Sequence, residues 1–212
     1  MADDLIFYTN PMSRGQVVRW MLEETGAPYA TEVLDYASTM KGPAYLSINP
    51  MGKVPAIKHG GQVVTECAAI CAYLADAFPQ AGLAPAFGSP ARAPYYRWLF
   101  FAAGPLEAAT SNKACGFEAP DKAFMLGYGS LERTLDALEG VLAGGDFLAG
   151  GAFSAADLYL GSHLGWGMLF GTTPKRPVFE AYVAKVTDRP AYVRAKAIDG
   201  ALIAELQKAQ PA

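Results

Sequence analysis

Between a short apolar run, Leu5 to Tyr8, and a helical pattern that begins near Ser13 lies the segment Thr9-Asn10-Pro11-Met12-Ser13-Arg14. It gathers hydroxyls, an amide and a cation at one helix start. Such a terminus carries unpaired N–H groups and the positive end of the helix dipole, so donors placed there stabilise an anion. Ser13, at or beside the N-cap, is the best-placed hydroxyl and Arg14 is the nearby cation, with Tyr8 at the end of the run and Asn10 in the loop as further donors. Pro11-Met12-Ser13-Arg14 holds no Cys-x-x-Cys pair, which excludes dithiol redox chemistry at this helix start. A serine that only caps the helix and a solvated arginine are the plain reading of the same two residues.

A second group lies further along. In Asn49-Pro50-Met51-Gly52-Lys53-Val54-Pro55-Ala56-Ile57 two prolines flank a glycine, a pattern no helix interior accepts, so a constrained turn leads into a strand. Glu66 and Cys67 open the helix that follows, another start suited to binding an anion. Lys41 and Lys53 are cations in the adjoining loops. Cys67 and Cys71 stand four apart on one helix with no third ligand nearby, so they read as small core fillers and no metal is expected.

The elements that position these residues are legible in outline. Val17/Met21 and Val18/Leu22 repeat at helical spacing before Gly26 and Pro28, and Tyr29 to Leu34 alternates like a half-buried strand, giving a right-handed parallel strand-helix-strand unit. A short helical turn is expected at Pro43 to Leu46, then a hairpin from Ala56 to His59 through Gly60-Gly61 to Gln62 to Thr65, and a helix from Glu66 to Phe78. Residues 1–79 thus form a compact α/β unit. Gln80 to Pro90, rich in Ala, Pro and Gly and without period, reads as a linker. Residues 91–212 read as all-helical, with spans near 91–112, 121–143, 154–169, 177–187 and 190–209. Ser154-Ala155-Ala156-Asp157 has capping-box spacing and is assigned a structural role, and His163 on that helix reads as a buried, hydrogen-bonded residue. The aromatic stretch Tyr95 to Phe101 covers every face of its helix, so most of it belongs to the core.

Composition narrows the function class. The 212 residues are 52% hydrophobic with a net charge of -3 and no Lys/Arg run, which argues against nucleic acid. Asp3 and Asp4 stand where a signal peptide carries positive charge, and no apolar run suffices for a membrane span. Three cysteines without a pairing pattern fit a reducing compartment, so the expectation is a cytoplasmic protein with no membrane partner. A mean hydropathy of +0.14 suggests apolar surface covered by a second subunit.

Taken together, the strand ending in Tyr-Thr-Asn-Pro-Met-Ser-Arg-Gly, the Asn-Pro-Met-Gly-Lys-Val-Pro-Ala turn, Thr-Glu-Cys at a helix start and Phe-Ser-Ala-Ala-Asp-Leu in the second half resemble the cytosolic glutathione S-transferase superfamily, as a bacterial member, over almost the whole chain. The resemblance implies a thioredoxin-like N-terminal domain, an all-helical C-terminal domain and a homodimer. It implies glutathione as co-substrate and a hydrophobic electrophile as acceptor in a detoxifying conjugation. It also admits a glutathione-dependent peroxidase, isomerase or dehalogenase, or an interaction protein that has lost chemistry. Glutathione has a thiol pKa near the ~8.5 of free cysteine, and lowering it by about two units takes roughly 2.7 kcal/mol of preference for the anion. A charge-assisted hydrogen bond supplies ~1.5–3 kcal/mol and a helix terminus ~0.3–1. Ser13 and Arg14 rank first for that task, then Tyr8, which stands in the slot of the tyrosine classes, then Asn10. By the same resemblance Val54-Pro55 is the family's cis-proline, with the Val54 backbone pairing the ligand's cysteinyl backbone. Glu66 takes its α-ammonium, the Cys67 N–H its α-carboxylate, and Lys53 with Lys41 its glycine carboxylate. The family usually has serine at position 67, so the thiol here is a weaker donor. The first helix of the second half, with its aromatics, resembles one wall of the electrophile site.

Overall fold

A computed structural model describes residues 4–117, 119–145 and 147–209. Its first elements are β1 (Leu5–Thr9), α1 (Gly15–Thr25), β2 (Ala30–Val33), α2 (Pro43–Leu46), β3 (Ala56–His59), β4 (Gln62–Thr65) and α3 (Cys67–Ala77). The strands form one sheet in the order β2-β1-β3-β4, with β2 parallel to β1, and with β3 antiparallel to β1 and β4 to β3. Parallel pairing of β1 and β2 requires the α1 crossover, whereas β3 and β4 need only the tight turn at Gly60 and Gly61, both at positive φ. Along β1 the residues Leu5, Phe7 and Thr9 are buried and Ile6 and Tyr8 half-buried, the period of two expected of a strand covered unequally on its two faces. α1 covers the Phe7 face, where the Arg19 guanidinium lies 5.0 Å from the Phe7 ring centroid. Tyr8 turns to the opposite face, packing with Leu34, Ile48 and Val54 around Met40, Tyr45 and Ala56.

The helices of the second half are α4 (Arg92–Phe101), α5 (Glu107–Ala114), α6 (Leu131–Leu142), α7 (Ala155–Phe170), α8 (Pro177–Thr187) and α9 (Pro190–Ala209). Between α4 and α5 the chain stays helical through a wide π turn, Ala102–Leu106, which admits Pro105 without the hydrogen bond its missing N–H would have to make. The single helix expected over 121–143 is not formed. A 3₁₀ turn at Pro120–Met125 is followed by Gly129 at φ 68, and α6 starts only after Ser130, whose hydroxyl accepts from the Arg133 N–H. The capping box opening α7 is present, and the buried Asp157 carboxylate also accepts from the Leu148 N–H and the Tyr182 hydroxyl, both at 2.8 Å. His163 is half-buried, its Nδ1 3.5 Å from Glu107. Within the aromatic stretch Tyr95, Trp98 and Leu99 are buried, while Tyr96 and Phe100 are 37% and 67% exposed.

By packing, one compact unit runs to Leu83 and takes in the chain from Arg189 onward, and the second is Ala84–Asp188. The last helix therefore counts with the first unit, although it follows the others in sequence. It lies on α1, where Arg19 and Asp199 pair at 3.1 Å, both buried, and the rings of Trp20 and Tyr192 stand 4.9 Å apart. No helix among the described residues is long and apolar enough to cross a membrane.

Candidate functional site

The loop from β1 into α1 is organised around one backbone carbonyl. Asn10 O accepts from the Ser13 N–H at 3.0 Å, from the Ser13 hydroxyl at 2.6 Å and from the Thr9 hydroxyl at 3.3 Å. Ser13 Oγ in turn accepts the Gly15 N–H at 2.9 Å. That bond polarises the hydroxyl and makes it a stronger donor. Since Asn10 O keeps two other donors, a rotation about the Cβ–Oγ bond frees the Ser13 proton for an incoming anion without stranding an acceptor. Ser13 is 9% exposed, so it meets solvent over a small opening, and Arg14 beside it is exposed. The Asn10 side chain is committed at both ends, Nδ2 donating to Leu34 O at 2.8 Å and Oδ1 accepting the Met12 N–H at 3.0 Å, which ties the loop to the end of β2.

Two positions that sequence reasoning did not single out make this loop fit. A Cβ on Gly15 would stand 2.0 Å from Thr9 Oγ1, so the helix can begin this close to β1 only with glycine there. Tyr45 packs its ring 5.7 Å from that of Tyr8, and its hydroxyl donates to Lys53 O at 2.6 Å. Glycine directly after Ser13-Arg14 was a visible signal; Tyr45 gave none, because its role depends on contacts made across the sheet.

Tyr8 is half-buried, and among the described residues its hydroxyl has no hydrogen-bond partner. Burial, and secondarily the Glu32 carboxylate, raise its pKa above the ordinary tyrosine value. Burial likewise pushes Tyr45 up to about 12, against the opposing hydrogen bond with Asn49 and with a smaller push from Tyr8. Both phenols are neutral donors throughout the physiological range.

Tyr8 pairs with Ala56 across β1 and β3, which sets the Val54-Pro55 turn beside the end of β1. The Val54-Pro55 bond is cis, as the sequence reading expects. The turn before it is fixed by Asn49 Nδ2 and the Tyr45 hydroxyl, both donating to Lys53 O, and by Lys41 Nζ donating to Gly52 O at 2.5 Å. Lys41 and Lys53 are both exposed. Glu66 is exposed at φ 67, the one non-glycine residue at positive φ among the described residues. It immediately precedes α3, and its side chain makes no cap hydrogen bond. Cys67 is half-buried with its thiol 3.6 Å from Arg14 O, which brings the start of α3 against the start of α1. The first unit thus gathers the sequence-predicted residues at the β1 end, the Val54-Pro55 turn and two adjoining helix starts.

A mixed four-stranded sheet carrying a cis-proline turn, followed by a helical second half, defines a thioredoxin-like N-terminal domain joined to an all-helical C-terminal one. The chain belongs to the glutathione S-transferase family. The glutathione S-transferase N-terminal domain matches residues 12–77 and the C-terminal domain matches residues 93–166. A glutathione S-transferase of Xanthomonas campestris is 33% identical over 166 residues, covering 75% of this chain and 80% of that protein. Glutathione S-transferase 3 of Zea mays is 31% identical over 185 residues, covering 82% and 81%. Among solved structures, a glutathione transferase from Methylococcus capsulatus has a TM-score of 0.77 at 32% identity, covering 92% of this chain and 98% of that one. A sphingomonad glutathione S-transferase complexed with glutathione has a TM-score of 0.75 at 33% identity with the same coverage. These relatives make the chain a glutathione S-transferase enzyme in kind.

Proposed function

We propose that the chain conjugates the thiolate of reduced glutathione to small hydrophobic electrophiles, as a detoxifying homodimer of the cytoplasm. Glutathione sits on residues 1–79 in this reading, the linker is 80–90, and the helices of 91–212 bound the acceptor. The observation that carries it is Glu66, a side-chained residue held at φ 67 on the lip of α3. Such a conformation costs of order 1–3 kcal/mol and persists where the surroundings demand it, most often at ligand sites. Here it directs a carboxylate toward the ligand's α-ammonium while the first N–H groups of α3, Cys67 among them, take the α-carboxylate. The Val54 backbone pairs with the cysteinyl backbone, and Lys53 and Lys41 face the glycine carboxylate. The sulfur then lies at the α1 start, where the Ser13 proton turns from Asn10 O to the thiolate and Arg14 adds positive charge. Asn10 braces the loop. Tyr8, with its neutral hydroxyl, is the alternative donor.

The deciding measurement is thiolate absorbance of the glutathione complex against pH. With Ser13→Ala the bound thiol's pKa is expected to rise by about one to two units, the loss of one charge-assisted hydrogen bond. Turnover at neutral pH falls with it and recovers as pH rises, while Tyr8→Phe has the smaller effect. The reverse order would assign the thiolate to Tyr8, and no thiolate in any variant would favour an interaction protein without chemistry. For assembly, the exposed Tyr96 and Phe100 on α4, and Ala69 and Ala72 on the outer side of α3, offer apolar and small-residue surface to a second copy. A concentration-independent monomer in sedimentation at tens of micromolar, on the order of a weak interface's dissociation constant, would contradict the dimer.

A further inference from the structure

The second compact unit carries a pocket of about 340 Å³, open to solvent on one side, between the end of α5, the 3₁₀ turn at Pro120–Met125 and the start of α6. That volume lies at the lower end of the roughly 300–1,000 Å³ of small-molecule sites. Ala109, Phe117, Ala123, Leu126, Tyr128 and Leu131 are among the residues that line it.

The side-chain arrangement is the reverse of what packing alone would select. The 3₁₀ turn lines the cavity with Ala123, while its large apolar neighbours Phe124 and Met125 are 86% and 70% exposed. A wall with nothing to hold would turn the larger side chains inward and cover the lining, because apolar surface left in contact with water is unfavourable. The wall is also tied in place. Asn112 Nδ2 donates to the Tyr128 hydroxyl at 3.0 Å, the Thr134 hydroxyl donates to Tyr128 O at 3.2 Å, and the Gly129 N–H donates to Leu126 O at 2.8 Å. With Asn112 as its donor, the Tyr128 hydroxyl retains its own proton, which meets no acceptor among the described residues. Among the described residues that line it only Lys113 and Glu132 are charged, so the lining is chiefly uncharged.

We infer that this cavity is a binding site for a compact, uncharged, largely apolar molecule of aromatic-ring size that carries one hydrogen-bond acceptor for Tyr128. Nothing in this inference depends on the glutathione reading.

The probe is the uncharged naphthyl ketone fluorophore prodan, titrated into the full-length protein in the presence of saturating S-hexylglutathione, which blocks a glutathione site and the acceptor region beside it. Saturable, blue-shifted emission is expected. Ala123→Phe, which fills the cavity, is expected to weaken binding at least tenfold while glutathione affinity changes less than twofold. Tyr128→Phe, which keeps the ring and its packing, is expected to weaken the ketone several-fold and to leave unchanged the binding of the same naphthalene without its carbonyl. An affinity unchanged by Ala123→Phe, or displacement of the fluorophore by S-hexylglutathione, overturns the assignment. Should Ala123→Phe unfold the protein, the Tyr128→Phe comparison decides alone.

Discussion

At Glu66 stability and binding pull in opposite directions. Glycine takes φ 67 without the steric cost that a Cβ incurs. Glu66→Gly is therefore expected to raise the urea midpoint by an amount equivalent to about 1 kcal/mol while lowering glutathione affinity by about tenfold in calorimetry. Glu66→Ala should lose the affinity and regain none of the stability. A Glu66→Gly variant no more stable than the parent would mean the backbone there is relaxed and the conformation carries no functional message. Gly15 is the opposite case, because its missing side chain lets the helix start approach β1. Gly15→Ala sets a methyl 2.0 Å from Thr9 Oγ1. A cost of about 1–3 kcal/mol is expected from that overpacking, and the displaced loop should lose its thiolate signal along with Ser13→Ala. The helix start beside Ser13 and the constrained turn at Val54-Pro55 follow from residue types and local spacing, whereas the cis bond there and the part assigned to Glu66 rest on the family resemblance. The hold of Asn10 O on Ser13 and the ring of Tyr45 against Tyr8 were not legible in the sequence, since both are distances set only when the sheet closes.

Elements were legible where one local signal dominated. The two-glycine hairpin between β3 and β4 and the capping box of α7 follow from a few adjacent residues, and both form as read. The stretch over 121–143 failed because its apolar spacing suits a helix while Gly129 at φ 68 and Ser130 as an N-cap break it, and a turn signal in mid-pattern outweighs the period. Asp157 shows what the capping box adds beyond a helix start. Its carboxylate accepts the N–H groups of Leu148 and Ser154 and the hydroxyls of Ser154 and Tyr182, yet burial outweighs these bonds and raises its pKa above 3.8. With the folded value above the unfolded one, the group's stabilising contribution is present at acid pH and declines as pH rises through the folded value. The excess melting temperature of the parent over Asp157→Asn, followed by calorimetry at fixed ionic strength, should therefore narrow as pH rises above the ordinary aspartate range. A gap that widens over that rise would show that the four hydrogen bonds outweigh burial.

On the scale of the whole chain, the consequential fact is that its end returns to its beginning. α9 packs on α1 through pairs 165 to 180 residues apart in sequence, a separation no local pattern encodes. Arg189 holds Glu24 through two hydrogen bonds at 2.6 and 2.8 Å, and Arg194 reaches Glu23 at 3.1 Å near the surface. About a turn beyond them on both helices Arg19 meets Asp199, with side chains only 2% and 3% exposed. Arg19 Nη1 donates to the hydroxyls of Tyr29 and Thr31, but the buried Arg19 Nη2 and Asp199 Oδ2 have no partner among the described residues. Burial raises the pKa of Asp199 in spite of the opposing pull of Arg19, so removal from water costs this carboxylate more than its partner returns. The pair therefore acts as a lock that is expensive to half-open rather than as a net source of stability. Asp199→Ala, which strands the guanidinium, is expected to cost about 3–5 kcal/mol in urea unfolding. Replacing both partners with Met at 19 and Leu at 199 should recover most of that loss, and a fragment ending at Asp188 should fail to fold its first unit, because Arg19 would be left without its counter-ion and α1 without its cover. A double replacement as unstable as the single one would show the ion pair to be stabilising in its own right, and a stable fragment would show that the α/β unit stands without the helix that the chain brings back to it.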